Sequence, residues 1–267
     1  MQISEKSIRE YASVTEVTGY RVTQEQIDRM LSRYRFAQEH CLGKNVLEVA
    51  CGSGQGLGLL AEKASKVTGI DIDNGLVDIA RRTYGNRPNV EVLFGDAEHL
   101  PFPDSIFDVL LLYEAIYYLP SPDKFLRKAL RVLKNGGTLI ICSANKSLKD
   151  FNPSPFSYSY FSADELSGLL ENNGYSNVQI YGQTPVDRES SLSAFLSCLK
   201  RLAVKMNLMP RTMAGKEILK RLFYGKLHEL PPEITDAMGA YSRPQLITAN
   251  RSNADYKVLF ALCQASK

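Results

Sequence analysis

A chain of 267 residues with 44% hydrophobic content can bury a full core without staples. Its formal net charge is only +3, which gives no general electrostatic case for a nucleic-acid partner. Five cysteines at 41, 51, 142, 198 and 263, odd in number and without close pairing, suit a reducing compartment and argue against disulfides and a zinc site.

The opening residues carry no apolar signal segment, and nowhere do 18 apolar residues run together, so a soluble, cytoplasmic protein is expected. Residues 1–44 are mostly helical in pattern. Thr23 followed by Gln26 predicts a capping box that opens a helix with Ile27, Met30, Leu31 and Tyr34 on one face. Val46 to Val49 then reads as a buried strand that breaks into glycines at 52, 54 and 56 and resumes as a helix from Leu57 to Ala64. Strand, glycine turn and helix start together bring backbone N–H groups and a positive dipole end against a ligand, which points to a nucleoside cofactor. The dinucleotide fingerprint needs glycines at the first, third and sixth positions; counting from Gly52 or from Gly54 fails at the sixth, so NAD is disfavoured.

Further strands follow in order. Val67 to Asp71 ends in an acid placed 23 positions after Glu48, about the spacing at which an acid meets a ribose diol. Val90 to Phe94 runs into Gly95-Asp96-Ala97, and Phe107 to Leu112 makes a fourth strand. Leu130 to Cys142 reads as a helix end, a turn and a fifth strand. Ser162 and Glu165 cap the next helix, Asn172-Asn-Gly174 stops it, Val178 to Tyr181 is the sixth strand, and Tyr256 to Cys263 the last. Alternating strands and helices imply a parallel sheet with helices on both faces.

The ordered phrases E-V-A-C-G-S-G, G-I-D, G-D-A-E-H-L-P-F, F-D-V-L and R-V-L-K-N-G-G resemble those of class I S-adenosylmethionine-dependent methyltransferases of the type 11 kind, over roughly residues 30–183. The resemblance implies a single α/β domain with a Rossmann-like seven-stranded sheet, its last strand antiparallel. It divides the chain into a helical cover (1–44), a cofactor-binding core (45–183), a helical substrate or lid insertion (184–254) and the last strand (255–265). It also implies S-adenosyl-L-methionine as cofactor. Glu48 would sit near the methionine amino end, with Gly52 and Gly54 under the methionine and ribose. Asp71 would take the ribose hydroxyls, Ile72 would pack on adenine, and Asp96 with the Ala97 backbone would read the adenine edge. Ala50 and Tyr113 belong to the same cofactor set; Ala50 stands where the family usually has glycine. Helices over the cofactor are common in the family, which makes Tyr11, Tyr20 and Arg35 candidate lid contacts beside plain packing roles.

Methyl transfer is an in-line displacement in which the protein aligns acceptor and methyl group; an alcohol acceptor also benefits from a base. The acceptor is expected beside the end of the fourth strand, Tyr113-Glu-Ala-Ile-Tyr-Tyr118. Glu114 is the candidate base or hydroxyl anchor, and Tyr117 is grouped with it as catalytic; Tyr118 and the aromatics from Phe151 to Phe161 could shape the acceptor pocket. His40, His99 and His228 have no metal-ligand spacing; His99 reads as a surface residue and His228 as lying in a basic helix.

The insertion carries nine Lys/Arg and three acids between Arg188 and Leu230, with apolar residues at helical steps from Leu192 to Met206. Three readings stay open: a helix packed on the core with a solvated basic face, a lid that meets substrate phosphates, or a helix that docks on anionic lipid. Looser resemblance to methyltransferases of bacterial surface-polysaccharide pathways suggests a sugar hydroxyl as acceptor, small or carrier-linked. The alternatives are a lipid, quinone or natural product methylated at C or O, and a cofactor-binding regulator without turnover.

Overall fold

The computed structural model describes residues 16–149, 151–185, 226–248 and 253–267. Its elements in chain order are β1 (Arg21–Val22), α1 (Gln24–Gln38), β2 (Asn45–Val49), α2 (Leu57–Ala61), β3 (Lys66–Asp71), α3 (Asn74–Tyr84), β4 (Val90–Phe94), β5 (Phe107–Tyr113), α4 (Pro122–Val132), β6 (Leu133–Ala144), α5 (Ala163–Asn172), β7 (Tyr175–Pro185), β8 (His228–Glu229), β9 (Gln245–Ile247) and β10 (Tyr256–Ala265).

Eight of these strands form one sheet in the order β4-β3-β2-β5-β6-β10-β7-β9. The ladders from β4 through β6 are parallel, and β10 inserts antiparallel between β6 and β7. The alternation of side chains decides which layer each face meets. Val46, Val67, Val109, Leu111, Ile140 and Phe260 pack with α1, α2 and α3 on one face. Leu47, Val49, Ile70, Leu110, Leu112 and Ile141 pack with α4 and α5 on the other. Strands buried on both faces must be apolar at nearly every position, which explains the unbroken run Val109–Leu112.

The helix starts follow from local chemistry. Thr23 and Gln26 form the capping box on α1, and Ser162 and Glu165 form another on α5. Asp73 caps α3 by accepting from the Gly75 and Leu76 N–H groups, which fixes the chain just beyond Asp71. From β2 the chain moves outward to β3 and β4, then returns to β5 on the other side of β2. That reversal opens a crevice outside the carboxyl ends of β2 and β5, where sheets of this type bind ligands.

Two expectations need correction. The sheet has eight strands rather than seven, because β9, a piece of the insertion, adds an antiparallel edge to β7. His228 lies not in a helix but in β8, paired with β1, because this stretch of the insertion returns along the chain's N-terminal segment. The described part of the insertion, 226–248, holds short strands and a 3-10 turn. The proposed basic helices, Tyr11 and Cys198 fall outside the described residues. The returning limb is bound to both the N-terminal segment and the glycine loop: the Gly19 N–H donates to the Leu230 carbonyl and the Leu230 N–H to the Tyr20 carbonyl, each at 2.8 Å, and the Ile234 N–H donates to the Gln55 carbonyl at 2.9 Å. Among the described residues no helix is long and apolar enough to cross a membrane.

Candidate active site

A cavity of about 390 Å³ lies at that crevice. Ala50, Cys51 and Gly52 follow β2, Asp71 ends β3, Asp96 and Ala97 follow β4, and Tyr113 and Glu114 stand at the end of β5; all line the cavity. Sequence-predicted residues Glu48, Ile72 and Tyr117 line it as well. Gly54 does not. Its positive φ of 83° turns the loop, and a Cβ there would meet the Ala80 Cβ at 2.9 Å, so this glycine serves the contact between loop and α3. Of the lid candidates, Tyr20 is exposed, and Arg35 turns away to pair with Asp236.

One half of the cavity, at the ends of β3 and β4, is acidic. Asp71 is almost fully buried and accepts from Gly52 N–H at 2.8 Å and from Asp73 N–H at 2.9 Å, one bond to each oxygen. A carboxylate has about four acceptor positions, so two remain for a diol. Burial raises the Asp71 pKa, and the backbone donors pull against it. Asp96 caps the short turn that follows β4 and meets His99 Nδ1 at 2.6 Å; Lys124 reaches His99 Nε2 at 2.7 Å. His99 is exposed as expected, yet it is tied to a cavity-lining carboxylate.

Glu48 sits at the floor. Tyr34 donates its hydroxyl to Glu48 Oε1 at 2.7 Å, while Oε2 is buried without a partner. Burial lifts its pKa to about 8, beyond what the Tyr34 bond restores. Tyr34 reaches this position because Gly56 leaves room: a Cβ at 56 would lie about 2 Å from the Tyr34 ring. The third glycine of the loop therefore makes space for a tyrosine rather than for a ligand.

The opposite wall comes from α1 and the ends of β5, β6 and β10. Arg29 and Arg33, one turn apart on α1, both line it, and each has a buried Nε without a partner. Arg33 donates to Glu114 Oε1 at 2.8 Å, and Tyr117 donates to Glu114 Oε2 at 2.7 Å. Burial is the largest single influence and would lower the Arg33 pKa, but the neighbouring groups, Glu114 first and then Cys142, Glu16 and Tyr117, together outweigh it and hold the guanidinium firmly protonated. Burial, then the charge of Glu114, pushes the Tyr117 hydroxyl up, so it remains a donor. Glu114 occupies the left-handed region at φ 51° and Ala50 does so at φ 59°, strained conformations for non-glycine residues and both beside the cavity. Tyr160 stacks behind Tyr117 with ring centroids 4.4 Å apart, and Phe151 packs edge-on to Tyr160 at 4.7 Å.

Sequence reasoning missed Arg29, Arg33 and Lys257, and it read Tyr34 only as core. The available signal was the four-residue spacing of the arginines on the helix expected to cover the cofactor.

These residues offer handles for each part of S-adenosylmethionine: a carboxylate with free acceptor sites for the ribose, an orphaned carboxylate oxygen for an ammonium, a cation for a carboxylate and apolar contacts at Ile72 and Leu76. Comparison with known proteins agrees. A methyltransferase domain family matches residues 47–141. A phthiotriol/phenolphthiotriol dimycocerosates methyltransferase of Mycobacterium ulcerans is 32% identical over 192 residues, covering 68% of this chain and 67% of that protein. A probable S-adenosylmethionine-dependent methyltransferase of Mycolicibacterium smegmatis is 33% identical over 146 residues, and the match spans only 53% of this chain and 56% of that one. A Thermotoga maritima structure described as a SAM-dependent methyltransferase, possible histamine N-methyltransferase, shares the fold with a TM-score of 0.58 at 17% identity, over 90% of this chain and 92% of that one. By motif order, sheet topology and these relatives, the chain belongs to the class I S-adenosylmethionine-dependent methyltransferases.

Proposed function

We propose that this protein transfers a methyl group from S-adenosylmethionine to an oxygen of an amphiphilic acceptor. The observation that carries the reading is a cavity with two unlike ends: acids and backbone turns at the adenosine end, and tyrosines with aliphatic side chains where the acceptor would enter. The cofactor supplies a methyl group on a good leaving group, so the protein's task is alignment and exclusion of water.

In this reading Asp71 accepts from the ribose hydroxyls, and Asp96 with Ala97 reads the adenine. Ile72 packs on the ring, Glu48 Oε2 takes the methionine ammonium, and Arg33 takes its carboxylate. Ala50, Gly52 and Tyr113 wall the methionine. Glu114 then acts through Arg33 and Tyr117, holding both in place. Tyr117 and Tyr118 border the acceptor.

A lipid-like acceptor is favoured over a sugar by the aliphatic lining (Met30, Leu119, Ala144, Val258) and by the dimycocerosate named for the M. ulcerans relative. A sugar hydroxyl on a carrier is the second reading; Tyr117 offers a ring to a sugar, but Tyr160 already covers one of its faces. Two measurements test the proposal. Calorimetry with S-adenosylhomocysteine should show Asp71→Ala weakening binding by about 1–3 kcal/mol; equal affinity removes the ribose assignment. Methyl-labelled cofactor incubated with a host-cell extract should place label in the organic layer. Label confined to a small water-soluble product would select the sugar reading, and no transfer to any fraction would leave a cofactor-binding regulator.

A further inference from the structure

One cation of the acceptor wall has no ion-pair partner among the described residues. Arg29, Arg33 and Lys257 all line the cavity. Arg33 is paired with Glu114 at 2.8 Å, and Lys257 with Glu25 at 2.7 Å. Glu16, the other acid of that wall, is engaged by Gln26, and its carbonyl accepts from Gln55 on the glycine loop. Among the described residues Arg29 has no carboxylate within ion-pair reach, and its Nε is buried without a partner. An unsatisfied buried guanidinium N–H is unfavourable, and a planar carboxylate would satisfy Nε and one Nη together.

The position of Arg29 separates it from the cofactor's methionine end. It lies on α1 between Arg33 and Glu25, one turn from each, and Glu25 is the partner of Lys257; the Arg29 charge is felt at Glu25. Glu48 instead feels Arg33. Arg29 therefore stands toward the Glu25–Lys257 end of the cavity wall, the side to which we assign the acceptor.

A second observation concerns the base. Both Glu114 oxygens already accept, one from Arg33 and one from Tyr117, and His99 is at the adenosine end. A hydroxyl acceptor needs its proton removed as it attacks. A carboxylate is already ionised at neutral pH and needs none.

We propose that Arg29 anchors an acceptor carboxylate, so that the substrate is an amphiphilic acid converted to its methyl ester. This rests on the methyl-transfer reading above. One carboxylate oxygen pairs with Arg29. The other forms the O–CH3 bond as the methyl–sulfur bond breaks; the electron pair goes to sulfur, the sulfonium becomes a neutral thioether, and no proton moves. The tail lies along Met30, Tyr118, Leu119 and Val258.

The test titrates the complex with S-adenosylhomocysteine with decanoate and with 1-decanol, in the parent protein, Arg29→Gln and Arg29→Lys. Decanoate should bind at least tenfold more tightly than the alcohol. Arg29→Gln should weaken decanoate by roughly 10- to 100-fold, with little change for decanol, and lysine should restore part of the loss. Turnover with labelled cofactor and decanoate should yield label released as methanol by alkali. Equal binding of acid and alcohol would overturn the proposal, as would equal losses for both in Arg29→Gln, or alkali-stable label. Loss of S-adenosylhomocysteine affinity in Arg29→Gln would assign this arginine to the cofactor carboxylate instead. Failure of the parent to bind S-adenosylhomocysteine would remove the methyl-transfer reading itself.

Discussion

Arg33 donates to Glu114 at 2.8 Å, tying the helix that covers the cavity to the residue that follows the central strand β5. The pair is largely withdrawn from water, with side-chain exposures of 13% and 22%. Removing one charge from such a pair leaves the other uncompensated, which costs more than the pair contributes net. Glu114→Gln should therefore lower unfolding stability by about 2 kcal/mol. It should also reduce turnover and weaken S-adenosylhomocysteine binding, because Glu114 holds the arginine to which we assign the cofactor's carboxylate. A urea-unfolding cycle with Arg33→Gln checks the first part: additive losses would show that the two residues do not act together.

Ala50 lies in the left-handed region at φ 59° directly after β2, where the family usually has glycine. An L-residue there costs about 1–2 kcal/mol, and a glycine's greater freedom in the unfolded chain gives back roughly 0.4–1 of that. Ala50→Gly should raise stability by about 0.5 kcal/mol. Ala50→Val should destabilise, because a β-branched residue tolerates positive φ least. Thermal unfolding of the three proteins orders them, and a glycine variant less stable than the parent contradicts the strain.

Gly56 makes room for the Tyr34 ring, which in turn donates to Glu48. Gly56→Ala should displace the ring and break that bond even though residue 56 does not line the cavity. A loss of about 2–4 kcal/mol is expected from the forced overlap and the broken buried bond together. Tyr34→Phe should lose only the bond, about 1–2 kcal/mol. Placed in the Tyr34→Ala background, Gly56→Ala should cost much less; an unchanged cost would show that the clash lies elsewhere.

Much of the frame was legible because strands buried on both faces must be apolar and the turns between them must carry particular residues. Val46–Val49, Val109–Leu112 and the capping boxes at Thr23 and Ser162 are local in origin, and the structure reproduces them. The acids at 48, 71 and 96 were placed by motif order, and all reach one cavity. What the sequence could not reveal were partners distant along the chain. Arg33 and Glu114 are 81 positions apart, and Glu25 and Lys257 are 232 apart. Periodicity marked Tyr34 as core, and it is buried, but its hydroxyl partner depends on how α1 crosses β2. The edge strand β9 is only three residues long and follows a segment read as helical, so no period-two pattern could announce it.

Glu48 has the same distant logic, and it makes the protein respond to pH. Burial, with a contribution from Asp71, holds its pKa at about 8, against an ordinary value of 4.5. Between those two values the folded protein retains a proton that the unfolded chain has lost, so stability falls as pH rises through the window from about 4.5 to 8. Asp71 is shifted in the same direction, so the parent's total slope belongs to both acids. The difference between the parent and Glu48→Gln isolates Glu48. Urea midpoints from pH 5 to pH 8.5 should fall more steeply with pH in the parent than in the variant. If Glu48 Oε2 takes the cofactor's ammonium, binding at pH 7 must expel the proton. S-adenosylhomocysteine affinity should then rise with pH toward 8, and calorimetry in two buffers of different ionisation enthalpy should detect the released proton. Glu48→Gln should bind more weakly and release less. Parallel midpoint slopes in the two proteins would mean that Glu48 is ionised across the whole range, and its role would then reduce to the hydrogen bond with Tyr34.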